Sequence, residues 1–126
     1  MIQHKHIVIR AEIKNPPKES EMSYMETWFL SLIRALNMKI LRGPITAYCD
    51  VSGNKGFTGT CIIETSHIAC HIWDESDPAL LQLDVYTCGD MDIDVVVRMV
   101  QFFEPVKIEY MLLDREHSIK ILEHNA

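Results

Sequence analysis

The sequence predicts an α+β fold, a two-layer sandwich in which an antiparallel sheet carries two helices on one face. Two patterns predict it: short segments of alternating apolar residues, typical of strands, and two segments with apolar residues every three or four positions, typical of amphipathic helices. Of the 126 residues, 48% are hydrophobic, which is enough for one core but not for two. We therefore expect one domain over residues 1–126.

The first predicted strand covers residues 6–13, where every second residue is apolar. Pro16 and Pro17 follow it and end the pattern. From Ser23 the apolar period lengthens to that of an amphipathic helix of about four turns. Ser23 and Glu26 have the spacing of a capping box, which satisfies free N–H groups of the first turn.

Further strands and a second helix are predicted downstream. The strands cover residues 39–41, 45–50, 57–63, 66–73 and 81–87, with turns at residues 43–44 and 52–56. Asp90 or Asp92 is predicted to cap the second helix, which Pro105 ends. Residues 106–112 alternate as a last strand, and the polar segment after Asp114 is expected to be loose. The uncovered face of the sheet is left for a ligand or a partner.

The composition excludes some classes of protein. The net charge is −6 and Lys and Arg do not cluster, so we expect no nucleic-acid partner. An acidic chain suits a small cationic ligand better. No apolar run reaches the roughly 18 residues of a membrane span. The amino terminus also lacks the core of a signal peptide, so we expect no membrane contact and a cytoplasmic location.

The four cysteines contain no C-x-x-C pair and are expected to be free thiols. A zinc site is the alternative for some of them. Its ligands would be His67, Cys70, His71 and Cys88. Their spacing matches no common zinc pattern, so we expect no metal.

The most informative segment is residues 65–73, which read Thr-Ser-His-Ile-Ala-Cys-His-Ile-Trp, followed by a Thr-Cys-Gly turn at residues 87–89. A serine hydroxyl is a poor nucleophile at neutral pH and needs a base or a strained target. A lone serine and histidine in a strand are usually structural, and a lone cysteine is usually a small buried hydrophobe. The joint spacing of Ser66, His71 and Cys88 favours a functional site instead.

These segments resemble the core of S-adenosylmethionine decarboxylases, in their small bacterial and archaeal class or a viral copy of it. The resemblance is weak over residues 6–113 and specific over residues 58–89. It implies an enzyme that converts S-adenosylmethionine to S-adenosylmethioninamine and carbon dioxide, which supplies the aminopropyl donor for spermidine synthesis. It also implies a homodimer with active sites near the interface, which agrees with a sheet that has helices on only one face.

In this family a serine cuts its own chain and becomes the cofactor. Carried onto this sequence, the Ser66 hydroxyl attacks the Thr65 carbonyl, and the chain separates into residues 1–65 and 66–126. Ser66 then becomes a covalent pyruvoyl group, whose carbonyl reacts with the substrate amine and serves as an electron sink. Cleavage in the family normally follows a glutamate, whereas here Glu64 is shifted by one residue.

Three further residues take catalytic positions in the resemblance. His71 occupies the place of the processing histidine, Thr58 that of a processing serine, and Cys88 that of a cysteine that returns a proton to the substrate. In a regular strand Ser66 and His71 point to opposite faces. Their cooperation therefore requires a bulge or a turn at the cleavage site.

The resemblance also suggests substrate-binding residues, each with an alternative. Glu75 matches a glutamate that binds the ribose hydroxyls, in some members across a dimer interface, although an acidic solvated turn would look the same. Phe57 is the candidate for stacking on adenine, or else a core residue of a strand. Arg10 stands where the first strand is usually acidic, and Glu12 on the same face is the candidate substrate contact.

The arginine in the first strand leaves two alternatives open. One is a related enzyme that acts on another amino acid or cleaves S-adenosylmethionine differently. The other is an unprocessed homologue that binds a ligand without catalysis. Self-cleavage separates these classes, because a catalytic member must yield two fragments.

Overall fold

The structure is a computed structural model and describes residues 4–125. Its strands and α-helices are, in chain order, β1 Lys5–Ile13, α1 Met22–Ala35, β2 Ile40–Cys49, β3 Gly56–Ile63, β4 Ser66–Trp73, β5 Ala79–Thr87, α2 Ile93–Val100, β6 Pro105–Asp114 and β7 Lys120–His124. All neighbouring strands are antiparallel, and the seven-stranded sheet has the order β2-β3-β4-β5-β1-β6-β7. The predicted α+β class with an antiparallel sheet is confirmed.

The sheet has a covered face and an open face, which the two-residue period of burial distinguishes. On β4, Ile68, Cys70 and Ile72 are buried, whereas His67 is exposed and His71 is half-buried on the opposite, open face. Apolar residues of both helices belong to the same core as the buried strand residues, so both helices lie on the covered face. Burial of each large apolar side chain stabilises the fold by about 1.5–3 kcal/mol.

Helix α1 lies close to the sheet and to α2. The indole N–H of Trp28 donates a hydrogen bond of 2.9 Å to the carbonyl of Met99, which joins the two helices. Phe29 packs on Gly59 of β3, where a Cβ would overlap the aromatic ring. A glycine is therefore required at position 59 for the helix to approach this closely.

The segment around Pro44 differs from the prediction. Two strands with a turn at residues 43–44 were expected, but β2 is one strand that runs through this segment with two register shifts against β3. Gly43 has a φ of 104°, which a glycine adopts at little cost. Pro44 has no N–H, and this is tolerated because β2 is an edge strand of the sheet. The bulge absorbs the residues that sequence patterns assign to a turn.

The two helix starts differ in how well they were predicted. The prediction of a capping box at Ser23 and Glu26 is wrong, because α1 begins at Met22 after Glu21 and no side chain caps it. Asp92 does cap α2, because its carboxylate accepts a hydrogen bond of 3.0 Å from the N–H of Asp94. Neither helix, nor any other in residues 4–125, is long and apolar enough to cross a membrane.

The segment after Asp114 is not loose, which corrects the prediction. Residues Lys120–His124 form β7, which pairs with β6 at the edge of the sheet. Asn125 fixes its end, since its side-chain amide donates to the carbonyl of Ile108 at 3.0 Å and accepts from the N–H of Tyr110. All side chains of β7 are exposed, so backbone pairing rather than burial holds it.

Candidate active site

Ser66 begins β4 directly after a two-residue turn that links it to β3. Its φ is 146°, a region that residues with a side chain rarely adopt. Such a conformation costs about 1–3 kcal/mol and persists only where neighbouring contacts enforce it. In register, Ser66 lies opposite Ile63 of β3 and Thr87 of β5. The predicted turn at the cleavage site is therefore present, and the backbone at Ser66 is strained.

The carbonyl just before Ser66 is held by the Thr-Cys-Gly turn. The backbone N–H of Cys88 donates a hydrogen bond of 2.9 Å to the carbonyl oxygen of Thr65. An N–H aimed at a carbonyl oxygen stabilises the negative charge that develops there when a nucleophile attacks. The hydroxyl of Thr87 also donates to the hydroxyl of Thr65 at 2.8 Å. The structure thus brings together the predicted nucleophile, its target carbonyl and the backbone of Cys88.

A polar groove of about 650 Å³ opens beside this turn. Thr65 and Gly89 line it together with charged residues of both signs. The charged lining residues are Lys5, Lys39, Glu64, Asp90 and Asp92. Solvent therefore reaches the Thr65 side of the turn that precedes Ser66.

Thr58 and His71 form the second part of the predicted site. They are directly opposite in the β3–β4 register, and Thr58 Oγ1 lies 3.1 Å from His71 Nδ1. The imidazole also stacks on Trp73, with ring centroids 5.8 Å apart. Both partners of His71 come from regular strands, so the ring is fixed on the open face.

Within the chain, the two parts of the predicted site are far apart. His71 follows Ser66 by five residues along a continuous strand. At about 3.3 Å per residue, their Cα atoms are separated by about 16 Å. The residues between them alternate regularly between the two faces, so no bulge shortens this distance. Ser66, Thr65 and Cys88 are brought together, but His71 and Thr58 are not brought to them.

His71 instead lines a groove on the open face with a volume of about 470 Å³. Arg10 lies in this groove, and its guanidinium is bonded to Glu12 at 2.8 Å. The hydrogen bond from Arg10 lowers the pKa of the Glu12 carboxyl below its usual value. Asp84 and Glu109 also line the groove. The charge of Arg10 is therefore balanced by Glu12, and Glu109 is paired with Lys107, whose Nζ lies 3.2 Å from its carboxylate.

A cluster of histidines beside this groove was not predicted. His6 Nε2 and His67 Nε2 lie 3.1 and 3.4 Å from the same oxygen of Asp84. Burial acts to raise the pKa of the Asp84 carboxyl, but the bonds from His6 and His67 outweigh it and leave that pKa below its usual value. Strand periodicity places these residues on one face, but sequence patterns do not show that β1 lies beside β5.

Glu75 is engaged by the turn between β2 and β3. Its two carboxylate oxygens accept hydrogen bonds of 3.1 Å from the N–H groups of Gly53 and Lys55. The bond from Gly53 is the main reason that the pKa of Glu75 lies below its usual value. The carboxylate is exposed and orders this turn, and its role toward ribose stays a prediction.

The structure does not support adenine stacking by Phe57. Its side chain is 1% exposed on the covered face and packs edge-on against Tyr48, with centroids 5.1 Å apart. A buried ring offers no face to a ligand on the open side of the sheet. The core alternative explains Phe57 better.

The alternative zinc set is also split by the sheet. Cys70 is buried on the covered face, where burial raises the pKa of its thiol, whereas His67 and His71 lie on the open face. In residues 4–125 no three His, Cys, Asp or Glu side chains converge as metal ligands.

Comparison with known proteins identifies the family. The sequence model of the S-adenosylmethionine decarboxylase family matches residues 5–116. The chain belongs to the S-adenosylmethionine decarboxylase family. Over 63 residues it is 35% identical to the S-adenosylmethionine decarboxylase proenzyme of Methanococcus maripaludis, a match that covers 48% of this chain and 50% of the relative. Over 70 residues it is 30% identical to the proenzyme of Picrophilus torridus, covering 52% and 50%.

The matched segment thus spans about half the length of these relatives of the decarboxylase family. A fold comparison extends over the whole domain. The crystal structure of the adenosylmethionine decarboxylase from Aquifex aeolicus has a TM-score of 0.68 to this chain and covers 99% of it, with 98% of that protein matched. Sequence identity in this comparison is 21%, so it establishes the fold shared with that decarboxylase.

Proposed function

We propose that this chain is a pyruvoyl-dependent S-adenosylmethionine decarboxylase that activates itself by cutting the bond between Thr65 and Ser66. The observation that carries the proposal is the strained Ser66, with a φ of 146°, placed after a carbonyl that the Cys88 N–H already holds at 2.9 Å. Membership of the decarboxylase family, whose related members are named proenzymes, supports the same reaction. Strain in the ground state and a donor aimed at the oxyanion both lower the barrier to attack.

Self-cleavage proceeds in three steps. Ser66 Oγ attacks the Thr65 carbonyl carbon, the peptide C–N bond breaks, and the hydroxyl proton ends on the freed nitrogen of residue 66. A base then removes the Cα proton of residue 66, the Cβ–Oγ bond of that residue breaks, and residues 1–65 leave with the oxygen as a carboxylate. Water finally replaces the nitrogen on the remaining dehydroalanine, ammonia leaves, and residue 66 carries the pyruvoyl carbonyl.

The residues around position 66 fit the chemistry that such a group performs. The pyruvoyl group supplies an electron sink for the electrons released when carbon dioxide leaves the substrate. Residue 66 lies opposite Thr87, the last residue of β5, and the half-buried Cys88 directly follows Thr87. The Cys88 thiol returns a proton to the α-carbon that has lost its carboxylate. Carbon dioxide and the decarboxylated amine are then the products.

His71 and Thr58 serve the site through a second copy of the chain. In one protomer they are about 16 Å along the strand from Ser66, too far for proton transfer. The open face that carries them also exposes Ile45 and Ile62, at 63% and 52%. A homodimer that packs the open faces together buries these side chains and brings a second His71 and Thr58 to the sheet.

The charge of the open face favours a cationic substrate. The groove beside His71 has Asp84 and Glu109 in its lining, where Glu12 pairs with Arg10 and Lys107 pairs with Glu109. Asp84 is bonded to histidines and, within residues 4–125, is paired with no Lys or Arg. S-adenosylmethionine carries a positive sulfonium and amine, which suit these carboxylates. A free arginine in the groove would select an anionic group of the substrate. Because Arg10 is paired with Glu12, it gives no support to the alternative of an enzyme that acts on another amino acid.

Intact-mass spectrometry of the purified chain tests the proposed function. We expect two masses, corresponding to residues 1–65 and 66–126 with a pyruvoyl terminus. After cyanoborohydride reduction with S-adenosylmethionine, only the second mass should increase, by a covalently trapped substrate or product. The same reduction with other amino acids in place of S-adenosylmethionine shows which of these compounds the chain accepts as a substrate. A single uncleaved mass that still binds S-adenosylmethionine would favour the non-catalytic homologue.

A further inference from the structure

Thr87 is the only polar side chain in residues 4–125 that is completely buried. Its hydroxyl donates a hydrogen bond to Thr65 Oγ1 at 2.8 Å and accepts one from the N–H of Gly89 at 3.0 Å. A threonine hydroxyl can donate one hydrogen bond, and Thr87 donates it to the side chain of Thr65 rather than to a backbone carbonyl. Because buried polar groups are costly unless satisfied, this orientation is fixed by its two partners.

The contact matters because Thr65 is the residue before the proposed cut. Thr65 is held twice: its side chain by Thr87, and its carbonyl oxygen by the N–H of Cys88 at 2.9 Å. The two holding groups belong to consecutive residues, Thr87 at the end of β5 and Cys88 directly after it. Two contacts fix the rotation of the carbonyl plane, which a single hydrogen bond does not.

The same contacts explain how the strain at Ser66 is maintained. A φ of 146° persists only where the surrounding structure over-determines the backbone. Ser66 pairs with Thr87 itself in the β4–β5 register, so the anchor lies directly across from the strained residue. Without the Thr65–Thr87 bond, the turn before Ser66 keeps only backbone bonds and can relax.

We propose that Thr87 is a positioning residue for self-cleavage, and that its buried hydroxyl anchors Thr65 so that the scissile carbonyl stays on the Cys88 N–H beside the strained Ser66. This inference rests on the proposed function and adds a residue to it. The side chain before the cut thereby has a role in this chain, as the partner of Thr87. The effect is on the first step, the transfer of the Thr65 acyl group from nitrogen to the Ser66 oxygen.

Two substitutions at position 87 separate positioning from packing. Thr87→Val keeps the shape and removes the hydroxyl, whereas Thr87→Ser keeps the hydroxyl and removes a buried methyl group. We expect Thr87→Val to slow cleavage by about tenfold, the value of one hydrogen bond near 1.4 kcal/mol. Thr87→Ser should recover most of the rate. If Thr87 only filled the core, valine would be the better replacement and serine the worse.

Thr65→Val removes the other hydroxyl of the same hydrogen bond. Thr65 is half-buried, so this substitution disturbs the core less than a change at the fully buried Thr87. It should slow cleavage to a similar extent, and the double variant Thr65→Val/Thr87→Val should be no slower than either single variant. The rate is followed by intact mass or denaturing gel from the moment of purification, with thermal unfolding of each uncleaved chain measured alongside. These readouts do not depend on decarboxylase activity.

The outcomes distinguish this inference from the proposed function. If the wild-type chain cleaves and Thr87→Val cleaves equally fast, the positioning role is wrong and the proposed function stands. Additive effects of the two valine variants would also overturn the direct coupling of Thr65 to Thr87. If the wild-type chain stays intact, the proposed function is wrong and this inference falls with it.

Discussion

The two parts of the candidate site lie on one strand and are built in different ways. At the start of β4, Ser66 has a backbone conformation outside the usual regions, and Thr65 before it accepts two hydrogen bonds, from the Thr87 hydroxyl and the Cys88 N–H. Further along β4, His71 lies in a regular ladder opposite Thr58, on the face that the helices do not cover. The first part is strained and anchored, and the second is relaxed and accessible.

This difference assigns a separate task to each part. Strain and a held carbonyl prepare a bond for attack, and they require surroundings that do not move. Proton transfer requires a titratable group that can meet a partner, and the open face provides it. A single chain therefore carries the bond proposed to be cut and a histidine that does not reach that bond.

The largest expected effect concerns the strained part. Ser66→Ala should abolish cleavage, because without the hydroxyl no ester forms. Denaturing gels and intact mass of protein incubated for a day measure it. Ser52→Ala changes an exposed serine of the β2–β3 turn and should cleave like the wild type. Fragments from Ser66→Ala would assign the nucleophile to another residue.

The second prediction tests whether the relaxed part acts across two protomers. His71→Ala alone should cleave about a hundredfold or more slowly, the usual contribution of a general acid or base. Co-expression with Ser66→Ala should restore cleavage of the His71→Ala chain, because its partner supplies an intact His71 and Thr58. Different tags on the two chains show which one is cut.

The matched control for this experiment is a partner that carries both changes, Ser66→Ala/His71→Ala, and it should restore nothing. Sedimentation at micromolar concentration should show a dimer. A monomer, or a His71→Ala chain that remains uncut beside Ser66→Ala, would contradict the shared site and leave the distance between Ser66 and His71 unexplained.

The third prediction separates the two roles of residue 88. Cys88→Ala keeps the backbone N–H that holds the Thr65 carbonyl, so self-cleavage should continue. It removes the thiol, so turnover of S-adenosylmethionine should fall by about a hundredfold. Release of carbon dioxide measures turnover, and Cys49→Ala, at the edge of the sheet, is the control. Undiminished turnover would assign the proton to another group.

The smallest expected effect concerns the cluster on the open face in which Asp84 binds His6 and His67. Because the pKa of the folded Asp84 lies below its ordinary value of 3.8, its charge stabilises the fold above that pH. This contribution is lost as the pH falls below 3.8 and through the lower folded pKa. Asp84→Asn should therefore be less stable than the wild type at pH 6, and the difference should shrink toward pH 3.

Chemical denaturation at several pH values measures the free energy of unfolding for this comparison. Asp77→Asn, at an exposed loop position, is the control and should show no such pH dependence. A constant difference between Asp84→Asn and the wild type across this range would mean that the carboxylate charge contributes nothing.

Local patterns predicted local structure well and long-range structure poorly. The alternation of residues 6–13 and 66–73 identified β1 and β4, and the apolar spacing after Ser23 identified α1. The opposite parity of Ser66 and His71 was also correct in the regular part of β4. These features depend on neighbours in sequence, which side-chain periodicity records.

The remaining differences involve residues that are distant in sequence. The insertion of β1 between β5 and β6 creates the cluster around Asp84, and no local signal encodes such pairing. The exposed strand β7 has no buried side chain to mark it. For Phe57, the sequence alone does not distinguish an aromatic strand residue that faces a ligand from one that faces the core.

The proposed cleavage between Thr65 and Ser66 divides the sheet between two fragments. The first fragment contributes β2, β3 and β1 to the sheet, and the second contributes β4, β5, β6 and β7. Along the sheet they alternate, because β1 lies between β5 and β6, while β3 lies beside β4. To separate the fragments, the strand pairs β3–β4, β5–β1 and β1–β6 must all be broken. Under the proposed cleavage, the two fragments of each chain should therefore stay together until the protein is denatured.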